Sequence, residues 1–209
     1  MGTATRAQKI LSTLKKTHPD ARCALHHSNS LELLVATILS AQCTDERVNK
    51  VTPLLFKKYR KAADYAKANS TTLEQEIRSP GFYKQKAKSL KTLGQMLVEK
   101  FKREVPRTME ELITLPGVWR KTANVILGNC FNTPGIVVDT HVRRLAYRMG
   151  LTQETDPDKI ERDLMKLFPR TEWTKASHCL IFHGRRVCKA LKPACATCPI
   201  DPLCPKRGV

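Results

Sequence analysis

Apolar residues in this chain recur every three or four positions almost from end to end, the interval that brings side chains onto one face of a helix. Between Ala4 and Thr17, Ile10, Leu11 and Leu14 lie among basic residues, which predicts a short amphipathic helix stopped by Pro19-Asp20 and packed as an arm on the rest of the molecule. Ser28-Asn29-Ser30 offers capping side chains to the stretch from Leu31 to Ala41, apolar nearly all round and therefore a central buried helix, which Thr44-Asp45 breaks. Val48, Val51, Leu54, Leu55 and Phe56 carry the next helix. A short Ala-rich one runs from Lys61 to Ala68, and another starts at Thr71-Thr72 and ends near Ser79-Pro80-Gly81. From Phe82 to Glu104, Ala87, Leu90, Leu93, Leu97, Val98 and Phe101 alternate with Lys and Arg, predicting a long helix with one wet basic face.

Pro106-Arg-Thr108 then opens a short helix from Met109 to Thr114, with Glu110 and Glu111 near its positive end. Leu115-Pro-Gly-Val-Trp119 is a tight turn, and Ala123, Val125, Ile126 and Leu127 give the following helix, to Cys130, an apolar face. Asn132-Thr-Pro-Gly135 is a further turn, and Ile136-Val-Val138, short and β-branched, is a bare candidate for extended backbone. Asp139-Thr140 starts a helix through Met149, Asp156-Pro-Asp158 one to Phe168, and a last helix spans Glu172 to Val187. The pattern describes an all-α globule of ten or so helices, with neither repeats nor low-complexity tracts.

Composition narrows the partners. At 209 residues with 41% hydrophobic content the chain can bury a real core, as one large domain or two small ones. Lys+Arg 37 against Asp+Glu 19 gives a net charge of +18, spread along the chain, which favours a polyanion, with nucleic acid ahead of an acidic membrane surface. No apolar run approaches the roughly 18 residues that span a bilayer. The N-terminus has no apolar signal core, so an intracellular protein at the DNA is expected. Of the eight cysteines, Cys23, Cys43, Cys130 and Cys179 are scattered on apolar stretches and read as small buried hydrophobes.

Three constellations carry chemistry. The first is the helix, hairpin and helix over 109–130. Its turn exposes N–H groups suited to gripping one nucleic-acid strand by its phosphates without reading sequence. The second pairs Lys121 with Asp139. Lys121 falls in the first helical turn, where partial positive charge and desolvation favour a neutral, nucleophilic amine. Asp139 is well placed as an ordinary N-cap, and a carboxylate there could equally relay a proton or stabilise positive charge on a sugar. The third is Cys188, Cys195, Cys198 and Cys204, four thiols within seventeen residues, stiffened by Pro193, Pro199, Pro202 and Pro205. A metal site follows. One Cys-x-x-Cys step instead of two favours iron–sulfur ligation, with zinc as the rival and disulfides as the weakest reading.

With these residues in view, the chain closely resembles the endonuclease III family of DNA glycosylases and abasic-site lyases, within the helix-hairpin-helix superfamily. The resemblance covers nearly the whole length and is carried by Leu-Ser-Ala-Gln-Cys-Thr-Asp at 39–45, Leu-Pro-Gly-Val-x-Arg-Lys-Thr-Ala at 115–123, Val-Asp-Thr-His-Val at 138–142, His183-Gly184 and the terminal cysteines. It implies two helical domains flanking a DNA-binding cleft, a six-helix domain over 23–132 and a second made of 1–22 plus 133–209. It also implies a [4Fe-4S] cluster on the four cysteines and a monomer acting on damaged double-stranded DNA. The activity implied is removal of an oxidised pyrimidine flipped out of the duplex, followed by β-elimination. Lys121 is then the nucleophile, through a Schiff base, and Asp139 its partner. Gln42 fills the space left by the flipped base, Phe82 is an apolar wedge, and His141 lies in the cleft. Gly117, Val118, Trp119, Arg120 and Thr122 of the hairpin and Lys192 of the cysteine loop contact DNA.

Trp119 departs from the family, whose hairpin usually has a second glycine there. A tryptophan does not readily take φ above zero or let backbone approach a phosphate closely, so either the hairpin differs or the side chain points away. Two rivals share parts of the pattern. Adenine-mismatch glycosylases are expected to have a further C-terminal domain and to lack the lysine. A non-catalytic DNA-binding or redox-sensing module would keep hairpin and cysteines alone.

Overall fold

The computed structural model describes residues 2–209, and among them there are eleven α-helices, three short 3-10 turns and no strand. The chain divides into two compact units. One is Ala24–Asn132, and the other is Thr133–Val209 together with the N-terminal segment up to Cys23.

The Ala24–Asn132 unit holds α2 (Ser30–Leu39), α3 (Asp45–Lys58), α4 (Ala62–Ala66), α5 (Ser70–Glu76), α6 (Tyr83–Lys100), α7 (Met109–Leu112) and α8 (Arg120–Cys130). That is seven helical segments where six were expected, two of them only about one turn long. Their starts follow from local chemistry, because the side chains of Asn29, Thr44, Asn69 and Thr108 accept hydrogen bonds from the exposed N–H groups of the first turns of α2, α3, α5 and α7. Thr44, read as a breaker, is thus the cap of the next helix. Helix α2 buries Leu33, Leu34, Val35, Ala36, Ile38 and Leu39 and packs on α3, α6 and α8, which makes it the central helix its composition called for. Helix α6 lies against α4 and α5, burying Leu90, Leu93 and Leu97, and Gly94 allows backbone of α4 to approach it.

The other unit holds α1 (Thr3–Thr17), α9 (Thr140–Arg148), α10 (Pro157–Leu167) and α11 (Trp173–Arg186), followed by the cysteine loop with two of its 3-10 turns. Ile10, Leu11 and Leu14 of α1 meet Leu145, Ile160, Leu164 and Leu180 in one apolar cluster. The amphipathic arm therefore completes this core. Ile136–Val138 is buried but does not form a strand, and the Val137 N–H instead donates to Ser177 Oγ at 2.9 Å. Of the four scattered cysteines Cys179 alone is fully buried, whereas Cys23, Cys43 and Cys130 are only partly so.

Candidate nucleic-acid interface and cysteine centre

The hairpin is built by Pro116 and Gly117. Gly117 adopts φ +79° and the Val118 N–H donates to the Leu115 carbonyl at 3.1 Å, the pattern of a type II turn with Pro and Gly at its centre. Helix α8 leaves this turn with no capping side chain and no acidic residue in its first turn, so its positive end is not neutralised by its own first residues. Arg120 and Lys121 stand there, both exposed, with Thr122 half-buried behind them. Val118 is buried, so only its backbone is available to a ligand. Trp119 occupies the N-cap position in extended backbone, φ −109° and ψ 171°, with its side chain 79% exposed. The missing glycine thus imposes no left-handed backbone, and the side chain stands outside the fold.

Gln42 and Phe82 occupy two other loops of the same unit. Both are exposed and both adopt left-handed backbone, φ +55° and +50°, which is uncommon outside glycine and costs about 1 kcal/mol or more each.

Asp139 belongs to the other unit, where it caps α9. Its Oδ1 accepts the Val142 N–H at 2.8 Å, so the capping role read from sequence is present. His141, in the first turn, is half-buried beside Arg144 Nη2 at 3.1 Å, and burial holds its imidazole below the usual histidine range. Gly184 of α11 faces it. A Cβ there would lie 3.0 Å from His141 Cβ, so the glycine of the His183-Gly184 pair lets α9 and α11 approach closely.

The four cysteines line the wall of one cavity with Arg148, Met149, His183 and Ile200. Among the described residues, no three His, Cys, Asp or Glu side chains are drawn together as around a single ion. Donors surround the sulfurs. Arg148 Nη1 lies 3.5 Å from Cys188 Sγ, and His183 Nε2 is 3.5 Å from Cys198 Sγ. His183 is itself completely buried, with its Nδ1 3.1 Å from His18 Nε2, and burial brings its imidazole down to about 4. Burial pushes the Cys198 and Cys204 thiols up, and charge on the neighbouring cysteines adds to this, which is the environment of thiolates that need a cationic partner. Lys192 is exposed on the loop between the first two cysteines, in left-handed backbone at φ +52°.

Three residues that matter here were counted in the sequence only as basic charge. Arg144 donates to the Gly184 and Cys188 carbonyls, both at 3.0 Å, and Arg148 donates to those of Lys189 and Ala190 at 2.7 and 3.0 Å. Arg6 of α1 donates to Met149, Gly150 and Leu203 carbonyls. Together they pin both sides of the cysteine loop. The four-residue spacing of Arg144 and Arg148 on α9 was the only available signal.

The model of the HhH-GPD superfamily of base excision DNA repair proteins matches residues 35–170. An endonuclease III of Synechocystis sp. is 54% identical over 201 residues, covering 96% of this chain and 92% of its own. The chain belongs to the endonuclease III family. An endonuclease III of Bacillus subtilis is 48% identical over 187 residues, 89% of this chain and 85% of its own. Among solved structures, a non-covalent endonuclease III–DNA complex superposes with TM-score 0.94 at 46% identity, covering 99% of this chain and 97% of that one. A trapped covalent endonuclease III–DNA intermediate gives TM-score 0.93 with the same identity and coverage. A thermostable thymine-DNA glycosylase, 22% identical with TM-score 0.89, shares the fold. Membership of the endonuclease III family carries the all-helical architecture and the base-excision class implied by the motifs at 39–45, 115–123 and 138–142.

Proposed function

We propose that this protein excises an oxidised pyrimidine from duplex DNA and cuts the strand at the resulting abasic site, with Lys121 as the nucleophile. The observation that carries the reading is the hairpin–α8 junction. An exposed amine stands in the first turn of a helix whose positive end no residue of that turn neutralises, directly after a type II turn, in a chain 46% identical to one whose DNA complex was trapped covalently. Such a junction holds a strand phosphate on backbone N–H groups and sets the lysine beside the adjoining sugar.

The chemistry then follows from the amine. Neutral Lys121 attacks the sugar C1′, the damaged base leaves with the C1′–N bond electrons and takes up a proton, and loss of the amine proton with ring opening gives a protonated Schiff base. Removal of a C2′ proton sends electrons into the imine and expels the 3′-phosphate, which cuts the strand. Asp139 assists by accepting a proton or by stabilising positive charge on the sugar, and its capping bond to Val142 fixes the carboxylate for that task. Gln42 and Phe82 enter the duplex, His141 and the hairpin residues contact it, and Lys192 meets a phosphate.

Cys188, Cys195, Cys198 and Cys204 hold a [4Fe-4S] cluster. The common cavity and the donors aimed at two of the sulfurs support this. With a cluster bound, these four cysteines would brace the loop that presents Lys189 and Lys192.

Borohydride reduction on abasic or oxidised-pyrimidine duplex DNA tests the mechanism. A covalent protein–DNA adduct is expected with the wild type and none with Lys121→Ala. The same adduct from both proteins would assign the chemistry to another residue.

A further inference from the structure

Lys86 sits in the second turn of α6 and is only 5% exposed, although it carries an amine. Its Nζ donates to two backbone carbonyls, Leu39 at 2.7 Å and Pro80 at 3.1 Å. Burial lowers its proton affinity, so the amine is held there at a cost that only these acceptors offset.

The two acceptors are not equivalent parts of the core. Leu39 is the last residue of α2, three positions before Gln42. Pro80 precedes Gly81 and Phe82, which lead into α6. Gln42 at φ +55°, Gly81 at φ +73° and Phe82 at φ +50° are all left-handed, and Gln42 and Phe82 present exposed side chains. A non-glycine residue stays in this region only when its surroundings over-determine the backbone. The local hydrogen bonds supply part of that constraint, with the Cys43 N–H donating to the Ser40 carbonyl at 3.0 Å and the Gly81 N–H to Arg78 at 3.2 Å. Each of these stays within its own loop. Lys86, by contrast, ties the end of α2 to the loop before α6.

We propose that Lys86 is a positioning residue for base extrusion: its buried ammonium clamps the Leu39 and Pro80 carbonyls and thereby fixes Gln42 and Phe82 as one rigid pair of wedges. This rests on the reading of Gln42 and Phe82 as residues that enter the duplex. A wedge that must order itself during opening of the base stack gives up binding free energy to do so, while a fixed one does not. Lys86 touches neither DNA nor the reacting atoms in this account.

The test separates extrusion from chemistry. Lys86→Met keeps the apolar stem and removes the donors, and Lys86→Gln keeps one donor. If far-UV circular dichroism shows that the methionine variant does not fold, the glutamine variant takes its place in the same assays. Single-turnover excision of an oxidised pyrimidine is expected to fall at least tenfold. The fluorescence rise of a 2-aminopurine stacked beside the lesion should be lost, while cleavage of a preformed abasic duplex, which has no base to extract, stays within threefold of wild type. In a Gln42→Ala/Phe82→Ala background, the Lys86 substitution should add less than twofold. Equal loss of excision and abasic cleavage, unchanged excision, or a full additional loss in the double-variant background would overturn the clamp. Failure of the premise looks different: Gln42→Ala/Phe82→Ala would then leave excision and 2-aminopurine fluorescence at wild-type values, which overturns the proposal at its base.

Discussion

Replacing Gly94 by alanine is expected to destabilise the protein, although the same change in an exposed helix would stabilise it by about 1 kcal/mol. A Cβ at this position of α6 would stand 2.5 Å from the Ala66 backbone nitrogen, 2.6 Å from the Ala62 carbonyl oxygen and 2.9 Å from Tyr65 Cβ. Two of the three neighbours are backbone atoms of α4, which cannot rotate away as a side chain can. Restoring ordinary contact requires α4 to retreat by roughly 1 Å. Tyr65 is 1% exposed and stacks on Tyr59 with ring centroids 5.1 Å apart, so the retreat also loosens a packed aromatic pair. Overpacking of this kind costs about 1–3 kcal/mol, here at the upper end because the obstacle is main chain. Subtracting the helix-propensity gain leaves a net loss of about 2 kcal/mol, or a fall in Tm of roughly 4–8 °C for a chain of this size. Thermal unfolding followed at 222 nm reads it directly. A Tm equal to or above the wild type would refute the reasoning, since it would mean that α4 and α6 are not held at this approach.

Other outcomes follow from the same geometry. Burial brings His178 and His183 each down to about 4 from the ordinary 6.5, so between these values the unfolded chain binds protons that the folded chain refuses; His178 alone accounts for about 3 kcal/mol of the stability lost as pH drops through that window. Urea midpoints measured from pH 7.5 to 4 should show this, and His178→Gln should remove about half of the slope, His183 supplying the rest; an unaltered slope would remove His178 as a cause. Trp119 is exposed while Trp173 is partly buried with its indole N–H donating to the Phe168 carbonyl at 2.9 Å, so DNA binding should change the red-edge emission through Trp119. A change that persists in Trp119→Phe would remove the hairpin from the DNA surface. Arg148→Met deprives the Lys189 and Ala190 carbonyls of their donor and is expected to cost about 3 kcal/mol, with faster amide exchange across residues 188–195. Exchange rates matching wild type in that loop would show that Arg148 is not among the groups that hold it.

The helix starts were legible because capping is local. Asn29, Thr108, Asp139 and Asp156 stand where short polar side chains can accept the orphan N–H groups of a first turn, and each does so, while Asn69 caps a helix whose start was read two residues late, at Thr71-Thr72. Ile136–Val138 shows the limit of that reasoning. A β-branched run marks extended backbone, but a strand needs a neighbouring strand, and here the partner is the Ser177 hydroxyl of a helix. Gly94 reads in sequence as a weak point of α6, and only the approach of α4 gives it a purpose. Arg6, Arg144 and Arg148 were invisible for a related reason: their acceptors are carbonyls of a loop distant in sequence, about which periodicity carries no information.

The candidate site divides along the same line. Lys121 and the cysteines are conspicuous by residue type and spacing, whereas Gln42, Phe82 and Lys192 are ordinary residues that entered only through resemblance to a family. The backbone gives them a feature in common, although Lys102, Arg103, Asn132 and Lys206 share it. All three are exposed non-glycine residues in left-handed conformation, at about 1 kcal/mol or more apiece, and glycine would relieve that strain at every one of them. Trp119 is exposed on ordinary extended backbone, so a left-handed conformation fixes where the main chain turns and does not by itself mark a residue that enters a duplex.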